Sequence, residues 1–304
     1  MTSETIEVDQ IALLSDRINA MRSQEENTSS SSRYNCHNYL NSQVDATCRK
    51  AMVDWCFTVA KSFEFSRETV GIAITSILDR YLSSSSGSES SKTAEVAALR
   101  SKQVFQLAAI TALYMAIKIF EPVQLGIDMI IKICRGAYKE SDIYSMERDI
   151  LFSLEWRVCI ATTTPMEYVR HFSELLLLSS DWGSGIIAKD DIIQHAVKYA
   201  DRATNDIYFS TCRTSAVGAA CLAGALNDVN TLSIFEKKIL WRQLNRKLDF
   251  ELDSLAIKHV EQRLLSTTTL CCEPKSQPCA STFRSNVKAS CEQPLSPRIV
   301  VQGL

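Results

Sequence analysis

The sequence predicts an all-α protein made of two consecutive five-helix bundles, with an N-terminal helix ahead of them and a flexible tail behind. Three observations carry this. Apolar residues recur at i, i+3, i+4 and i+7 through most of the chain from Val44 to Leu265, the period of a helix with one buried face. No segment shows the Val/Ile/Thr alternation of a strand. Two segments, Leu107–Ile117 and Ala216–Leu226, are apolar on nearly all faces and rich in small residues. They lie about 110 residues apart, each as the third helix of five, which is the mark of a duplicated unit.

The first segment, residues 1–43, holds a short amphipathic helix in which Ile6, Ile11, Leu14, Ile18 and Met21 share a face. Gln24–Arg33, rich in Glu, Asn and Ser, reads as a linker. The first bundle spans 44–159. Met52, Trp55, Cys56, Val59 and Phe63 form the stripe of its first helix, and Val70, Ala73, Ile74, Ile77, Leu78 and Tyr81 that of its second. Leu107–Ile117 is the third and the hub, because a helix apolar all round is buried and Ala108, Ala109, Ala112 and Ala116 let neighbours come close. Helices near Leu125–Cys134 and Asp142–Trp156 complete the unit. Ser83–Ser101, between the second and third helices, contains a long serine run and is expected to be mobile.

The second bundle spans 160–265. Thr164-Pro165-Met166-Glu167 is a helix start, with a Thr cap, Pro at the first position and Glu three residues after the cap. Helices are expected near 165–178, 190–209, 213–227, 233–245 and 250–265, with Ser233 and Glu236 forming a second capping box. Residues 266–304 are aperiodic and rich in Ser, Thr, Pro and Cys, and read as a flexible tail.

Composition narrows the function. A chain of 304 residues with 46% apolar content can hold about two domains with real cores. The net charge of −2 lacks the basic footprint of a nucleic-acid binder, so no direct nucleic-acid partner is expected. Met1–Gln10 is polar and acidic, unlike a secretory signal. No apolar run reaches the roughly 18–20 residues that span a bilayer, so no membrane role is expected. Cys56, Cys134, Cys159, Cys212 and Cys221 sit in apolar helical pattern, as reduced thiols of a nuclear or cytoplasmic protein do. Cys271, Cys272, Cys279 and Cys291 lack the paired spacing and His partners of a zinc site. There is no Gly-rich phosphate loop, no His-Glu-x-x-His helix and no Gly-x-Ser-x-Gly elbow. The expectation is a protein with no catalytic residues, no metal and no cofactor.

Five polar landmarks interrupt the apolar helices of the first bundle. They are Arg49 in Arg49-Lys50-Ala51-Met52-Val53-Asp54-Trp55, Asp79 in Leu78-Asp79-Arg80-Tyr81-Leu82, the step from Leu107–Ile117 into Lys118, Glu147 in Met146-Glu147-Arg148-Asp149-Ile150-Leu151, and the closing Leu154-Glu155-Trp156. Apolar helices hold ionised groups only where these are paired, solvated or used. This order of landmarks resembles the cyclin box, the five-helix module that binds and activates a cyclin-dependent protein kinase. The resemblance covers residues 36–160; the second half is similar to the family's second, cyclin-like bundle only in helix pattern.

The resemblance implies a non-catalytic regulatory subunit in a heterodimer with a cyclin-dependent kinase, acting in cell-cycle control in the nucleus or cytoplasm. It implies an inter-helix salt bridge between Arg49 and Asp79, where the residues alone also fit two solvated charges. It implies that Lys118 and Glu147 clamp kinase backbone, where Lys118 alone also fits a cation complementing a helix C-terminus. Met115, Ile119, Leu151, Trp156 and Val158 match the family's apolar kinase contacts, and each also fits a core position. A groove that docks Arg-x-Leu segments of substrates or inhibitors maps to Met52, Trp55, Phe105 and Gln106, with Cys48, Ala51 and Thr58 beside them; Thr58 replaces an acidic residue, and Trp55 also fits the core. No Arg-x-x-Leu destruction signal precedes the first bundle, which points away from a mitotic subclass. Leu270-Cys271-Cys272-Glu273 is one residue short of a Leu-x-Cys-x-Glu motif. Two other classes stay open: a transcription factor or nucleic-acid-binding adaptor on the same duplicated fold, and a helical enzyme.

Overall fold

The computed structural model describes residues 3–29, 44–83, 97–158, 163–178, 186–248, 251, 252 and 254–269, and every regular element among them is a helix. The first, α1, runs Ser3–Ser29, so the helix continues through much of the stretch expected to be a linker.

Five helices follow from Ala46. They are α2 (Ala46–Ser62), α3, α4 (Lys102–Phe120), α5 (Ile127–Ile133) and α6 (Glu140–Ser153). The α3 helix is three contiguous pieces: Arg67–Gly71, a π-helical stretch Ile72–Asp79, and Arg80–Ser83. Local chemistry sets the starts. Asp45 accepts from the Cys48 amide at 2.8 Å, Ser66 from Glu68 at 3.2 Å, and Asp142 accepts from the Lys139 amide at 2.8 Å, each satisfying a donor that the helix cannot. The hub is as expected: Ala108, Ala109, Ala112 and Ala116 are fully buried, and α4 packs on α2, α3 and α6. At 19 residues α4 is longer than the run read from sequence and, by length and composition alone, is apolar enough to cross a membrane; two thirds of it is buried inside the first core.

The next five helices are α7 (Pro165–Leu178), α8 (Ile186–Asn205), α9 (Thr214–Asp228), α10 (Ile234–Lys247) and α11 (Leu255–Thr269), with a one-turn helical piece at Ile207–Ser210. The Thr164 hydroxyl accepts from the Glu167 amide at 3.1 Å, and Ser233 and Glu236 close a full capping box. Glycine in α9 permits its central position. A Cβ at Gly218 would lie 2.5 Å from the Cβ of Tyr168 in α7, and one at Gly224 would lie 3.1 Å from the Tyr199 ring in α8. The side-chain-free surface is what lets two neighbours approach one helix.

Two hydrophobic cores result. The first gathers side chains from Val44 to Val158 around α4, and the second those of α7–α11 around α9. Leu14, Ile18 and Met21 of α1 belong to the second core, a destination that the spacing of α1 does not reveal. One turn further on, buried Glu25 accepts from the Ser215 amide at 3.2 Å and from the Tyr168 hydroxyl at 3.4 Å. A carboxylate from α1 therefore caps the first turn of α9, where the helix dipole favours negative charge. Burial beside this carboxylate pushes the Tyr168 phenol up. Cys56, Cys134 and Cys221 are buried free thiols and Cys212 is half-buried; burial pushes Cys134 up to about 12, so it is inert as a nucleophile. Of the mobile insertion expected at Ser83–Ser101, residues 84–96 lie outside the described residues. So do Cys159, the Leu270–Glu273 near-motif and the tail beyond Thr269, although the helix α11 itself extends past Ser266.

Candidate partner-binding site

Arg49 lies on the first turn of α2 and Asp79 closes the π-helical part of α3. The structure joins them in a two-pronged ion pair, Nε to Oδ1 at 3.0 Å and Nη2 to Oδ2 at 2.7 Å, with both side chains 1% exposed. Arg49 has a further role. Its Nη1 donates to the backbone carbonyls of Thr204 at 2.8 Å and Asn205 at 3.3 Å, at the end of α8. One buried guanidinium thus binds a carboxylate of the first bundle and the carbonyl end of a helix in the second. A planar, forked cation can do this and a lysine cannot. Beside it, Arg67 pairs with Asp201 of α8, Nε to Oδ2 at 2.8 Å, while its guanidinium covers the Phe57 ring at 4.8 Å. Burial pushes the Asp201 carboxyl up, and Arg67 opposes that shift.

Lys118 and Glu147 also meet. The last turn of α4 brings the Lys118 ammonium onto the Glu147 carboxylate of α6, and the same ammonium stands 5.2 Å from the centre of the Tyr114 ring. Here the environment is open: the Lys118 side chain is 41% exposed. The Glu147 side chain is only 13% exposed, so the pair has one open and one largely covered member.

The residues expected around this pair divide. Ile119 is 43% and Trp156 65% exposed, and Leu151 is half-buried. Met115 and Val158 are buried in the first core, so packing makes these two core residues and not surface contacts. Trp156 lies past the end of α6 and not within it. Glu155 and Trp156 take φ of +52° and +61°, the left-handed region that side chains disfavour, and the Trp156 amide closes the helix onto the Leu151 carbonyl at 2.8 Å. The turn sends the indole outward, against Phe152, with ring centroids 5.9 Å apart and planes at 84°. Phe152 is 55% exposed. Sequence reasoning missed it, although its i, i+4 spacing to Trp156 was there to be read.

The four positions expected to floor a peptide groove behave differently. Met52, Trp55, Phe105 and Gln106 are all buried and belong to or border the first core. Gln106 Oε1 accepts from the Tyr138 hydroxyl at 2.8 Å. Ala51 is half-buried and Thr58 exposed, its hydroxyl turned back onto the Asp54 carbonyl at 2.9 Å. The helix stripe that would line a groove here packs inward instead.

Comparison with known proteins agrees with this geometry. Residues 16–159 match the family model described as the cyclin N-terminal domain. The chain is 30% identical over 147 residues to the G2/mitotic-specific cyclin-2 of Antirrhinum majus, covering 48% of this chain and 30% of that protein. It is 30% identical over 138 residues to the G2/mitotic-specific cyclin-B3 of Gallus gallus, covering 45% and 30%. The alignments thus span less than a third of these relatives' own length. Both relatives are mitotic by name, whereas the lack of an Arg-x-x-Leu element pointed away from that subclass; similarity at this level carries the family and not the subclass. The fold is similar to that of a viral cyclin from herpesvirus saimiri, with a TM-score of 0.58 at 15% identity, over 83% of this chain and 98% of that one. With its landmark residues paired across the helices, the first bundle is similar to the cyclin N-terminal domain over residues 16–159, and the chain as a whole has the fold of a cyclin.

Proposed function

We propose that this chain is a non-catalytic regulatory subunit that binds and activates a cyclin-dependent protein kinase in control of the cell cycle, in the nucleus or cytoplasm. Residues 44–159 act as the kinase-binding unit and 160–265 as a second, supporting bundle, with α1 strapped across the latter. The observation that carries this reading is the Lys118–Glu147 pair, with its lysine 41% and its glutamate 13% exposed, beside exposed Ile119, Phe152 and Trp156 on the same two helices and the turn beyond. Exposed apolar side chains beside charge are the anatomy of a partner surface.

The mechanism is a population shift. A kinase whose regulatory helix is mobile presents unpaired backbone groups at that helix's end. Lys118 donates to a backbone carbonyl there and Glu147 accepts from an amide, both as charge-assisted hydrogen bonds, while the apolar side chains cover the helix. The chain binds only the form with the helix turned inward, so that form becomes dominant and the kinase's Lys–Glu pair assembles. The test is direct. Purified chain is expected to show no phosphotransfer to a histone substrate, and activity is expected when a panel of purified cyclin-dependent kinases is added one at a time. Phosphotransfer by the chain alone, or no binding to any kinase of the panel, would overturn the proposal.

A further inference from the structure

The second bundle carries a feature that kinase binding leaves unused. A cleft of about 510 Å³ opens between α9, α10 and α11. Its walls are apolar at Leu226, Ile234, Trp241, Leu252 and Ile257. Ile234 is 74% exposed and its neighbour Phe235 72% exposed, though the first turn of a core-facing helix ordinarily buries such residues. The size matches that of a ligand or side-chain pocket.

The charges around the cleft are one-sided. Lys237, Lys238, Arg242 and Lys258 line it, against the single carboxylate of Glu261. Lys237 is committed, since its ammonium donates to the Asn227 carbonyl at the end of α9, at 2.9 Å. Glu261 is committed too: it accepts from the Asn227 amide at 3.0 Å, and burial pushes its carboxyl up. Lys238, Arg242 and Lys258 are exposed, and Lys238 and Arg242 make no ion pair among the described residues. This local excess of cation stands on a chain whose net charge is −2. The α10 helix is therefore both apolar and basic on a face that its own bundle does not cover.

We infer that this cleft docks an acidic peptide segment of a partner protein, with an apolar side chain seated against Trp241, Ile234 and Ile257 and carboxylates on Lys238 and Arg242. Charge complementarity names the occupant: an apolar peptide would leave the cations unpaired, and a basic one would be repelled. Glu261 on the opposite wall sets polarity, so the peptide's acidic side faces α10. The site lies on the second bundle, and its use does not depend on the kinase reading.

The experiment uses the full chain, immobilised, and a phage-displayed library of random 16-residue peptides. Selected peptides are expected to be enriched in Asp and Glu around a Leu, Phe or Trp. Their affinity is expected to fall at least about tenfold in K238E/R242E, with an unchanged melting temperature because both positions are exposed. Charge-neutral variants of the selected peptides are expected to weaken likewise. Enrichment without acidic residues, or equal binding to K238E/R242E, overturns the inference. Two other outcomes overturn it by naming a different occupant. If deletion of residues 270–304 is what first allows peptides to bind, the cleft belongs to the chain's own tail. If phosphatidylserine vesicles bind and the double substitution abolishes that binding while peptides fail, it faces a membrane. Kinase binding, read in parallel, is expected to persist in K238E/R242E, which separates failure of this site from failure of the kinase reading.

Discussion

Among the Arg/Lys–carboxylate pairs of the first bundle, Arg49–Asp79 and Lys118–Glu147 are chemically alike and physically opposite. Arg49–Asp79 is 1% exposed on both sides, and every donor it shows is directed at protein. In Lys118–Glu147 the Lys118 side chain is 41% and the Glu147 side chain 13% exposed. Burial turns the first into a joint: its charges were taken out of water at a cost of several kcal/mol each, and only the completed network offsets that cost. Partial exposure screens the second, which therefore weighs less on folding. The contrast teaches that one kind of charge pair can hold a fold or offer a handle, and that solvent access decides which.

Removing one member of the buried joint tests the first half of this comparison and is expected to have the largest effect. Arg49→Ala strands Asp79 and the Thr204 carbonyl together, and a loss of about 3–5 kcal/mol is expected. Chemical denaturation would read it, with the melting of both bundles affected because the guanidinium touches each. An unchanged midpoint would mean that water replaces the network without penalty.

Lys118→Ala with Glu147→Ala tests the second half. Stability is expected to change by less than about 1 kcal/mol, whereas kinase affinity is expected to fall by about 2–5 kcal/mol, the cost of losing charge-assisted bonds at a desolvated interface. Calorimetry of binding beside thermal melting separates the two. Normal kinase affinity would demote the pair to ordinary surface charges.

A buried imidazole, with carboxylates that pair with it only if it takes up a proton, sharpens the comparison from the other side. His171 of α7 is buried, with Glu167 and Glu174 oxygens no closer than 4.0 and 3.8 Å. Burial, with Arg170 and Arg17 nearby, lowers its pKa from 6.5 to about 4. The unfolded chain then binds the extra proton between those two values, so stability is full above about pH 6.5 and is lost as the pH falls toward 4. At most about 3 kcal/mol is at stake, and less to the extent that water screens the ring. Denaturation midpoints measured across this range in the wild-type chain and in His171→Gln would show the slope flattening in the variant; parallel slopes would remove His171 as the cause.

The smallest expected effect belongs to Glu25, a buried carboxylate whose partner is a helix end. Glu25→Gln keeps the shape and removes the charge, and a loss of about 1 kcal/mol is expected. High salt would barely change it, given the burial. A loss of several kcal/mol would place Glu25 in the same class as Asp79.

What was legible in the sequence follows the same physics. Helix starts at Thr164 and Ser233 were readable because capping is local, with donor and acceptor three residues apart. The α4 and α9 hubs were readable because all-round apolarity has one explanation. Arg49 and Asp79 were visible as charges in apolar helices, but the third partner, the Thr204 carbonyl, is backbone and has no side-chain signature at 155 residues' separation. The fate of Met52, Trp55, Phe105 and Gln106 was not readable either. A stripe at helical spacing looks the same whether it faces a core or a groove, and only packing distinguishes them. Trp156 was placed in a helix because its approach is helical; the left-handed step at Glu155 carries no glycine to announce it.

The seat of α1 has a consequence for synthesis. Its Glu25 bonds to Ser215, 190 residues further along the chain. At roughly 5–20 residues per second on the ribosome, α1 waits about 10–40 s before its docking surface exists. For that interval Leu14, Ile18 and Met21 have no native cover, while the first bundle, whose contacts lie within Val44–Val158, can already close. The nascent protein thus has a first bundle able to close and, ahead of it, a helix whose Leu14, Ile18 and Met21 still lack their native cover.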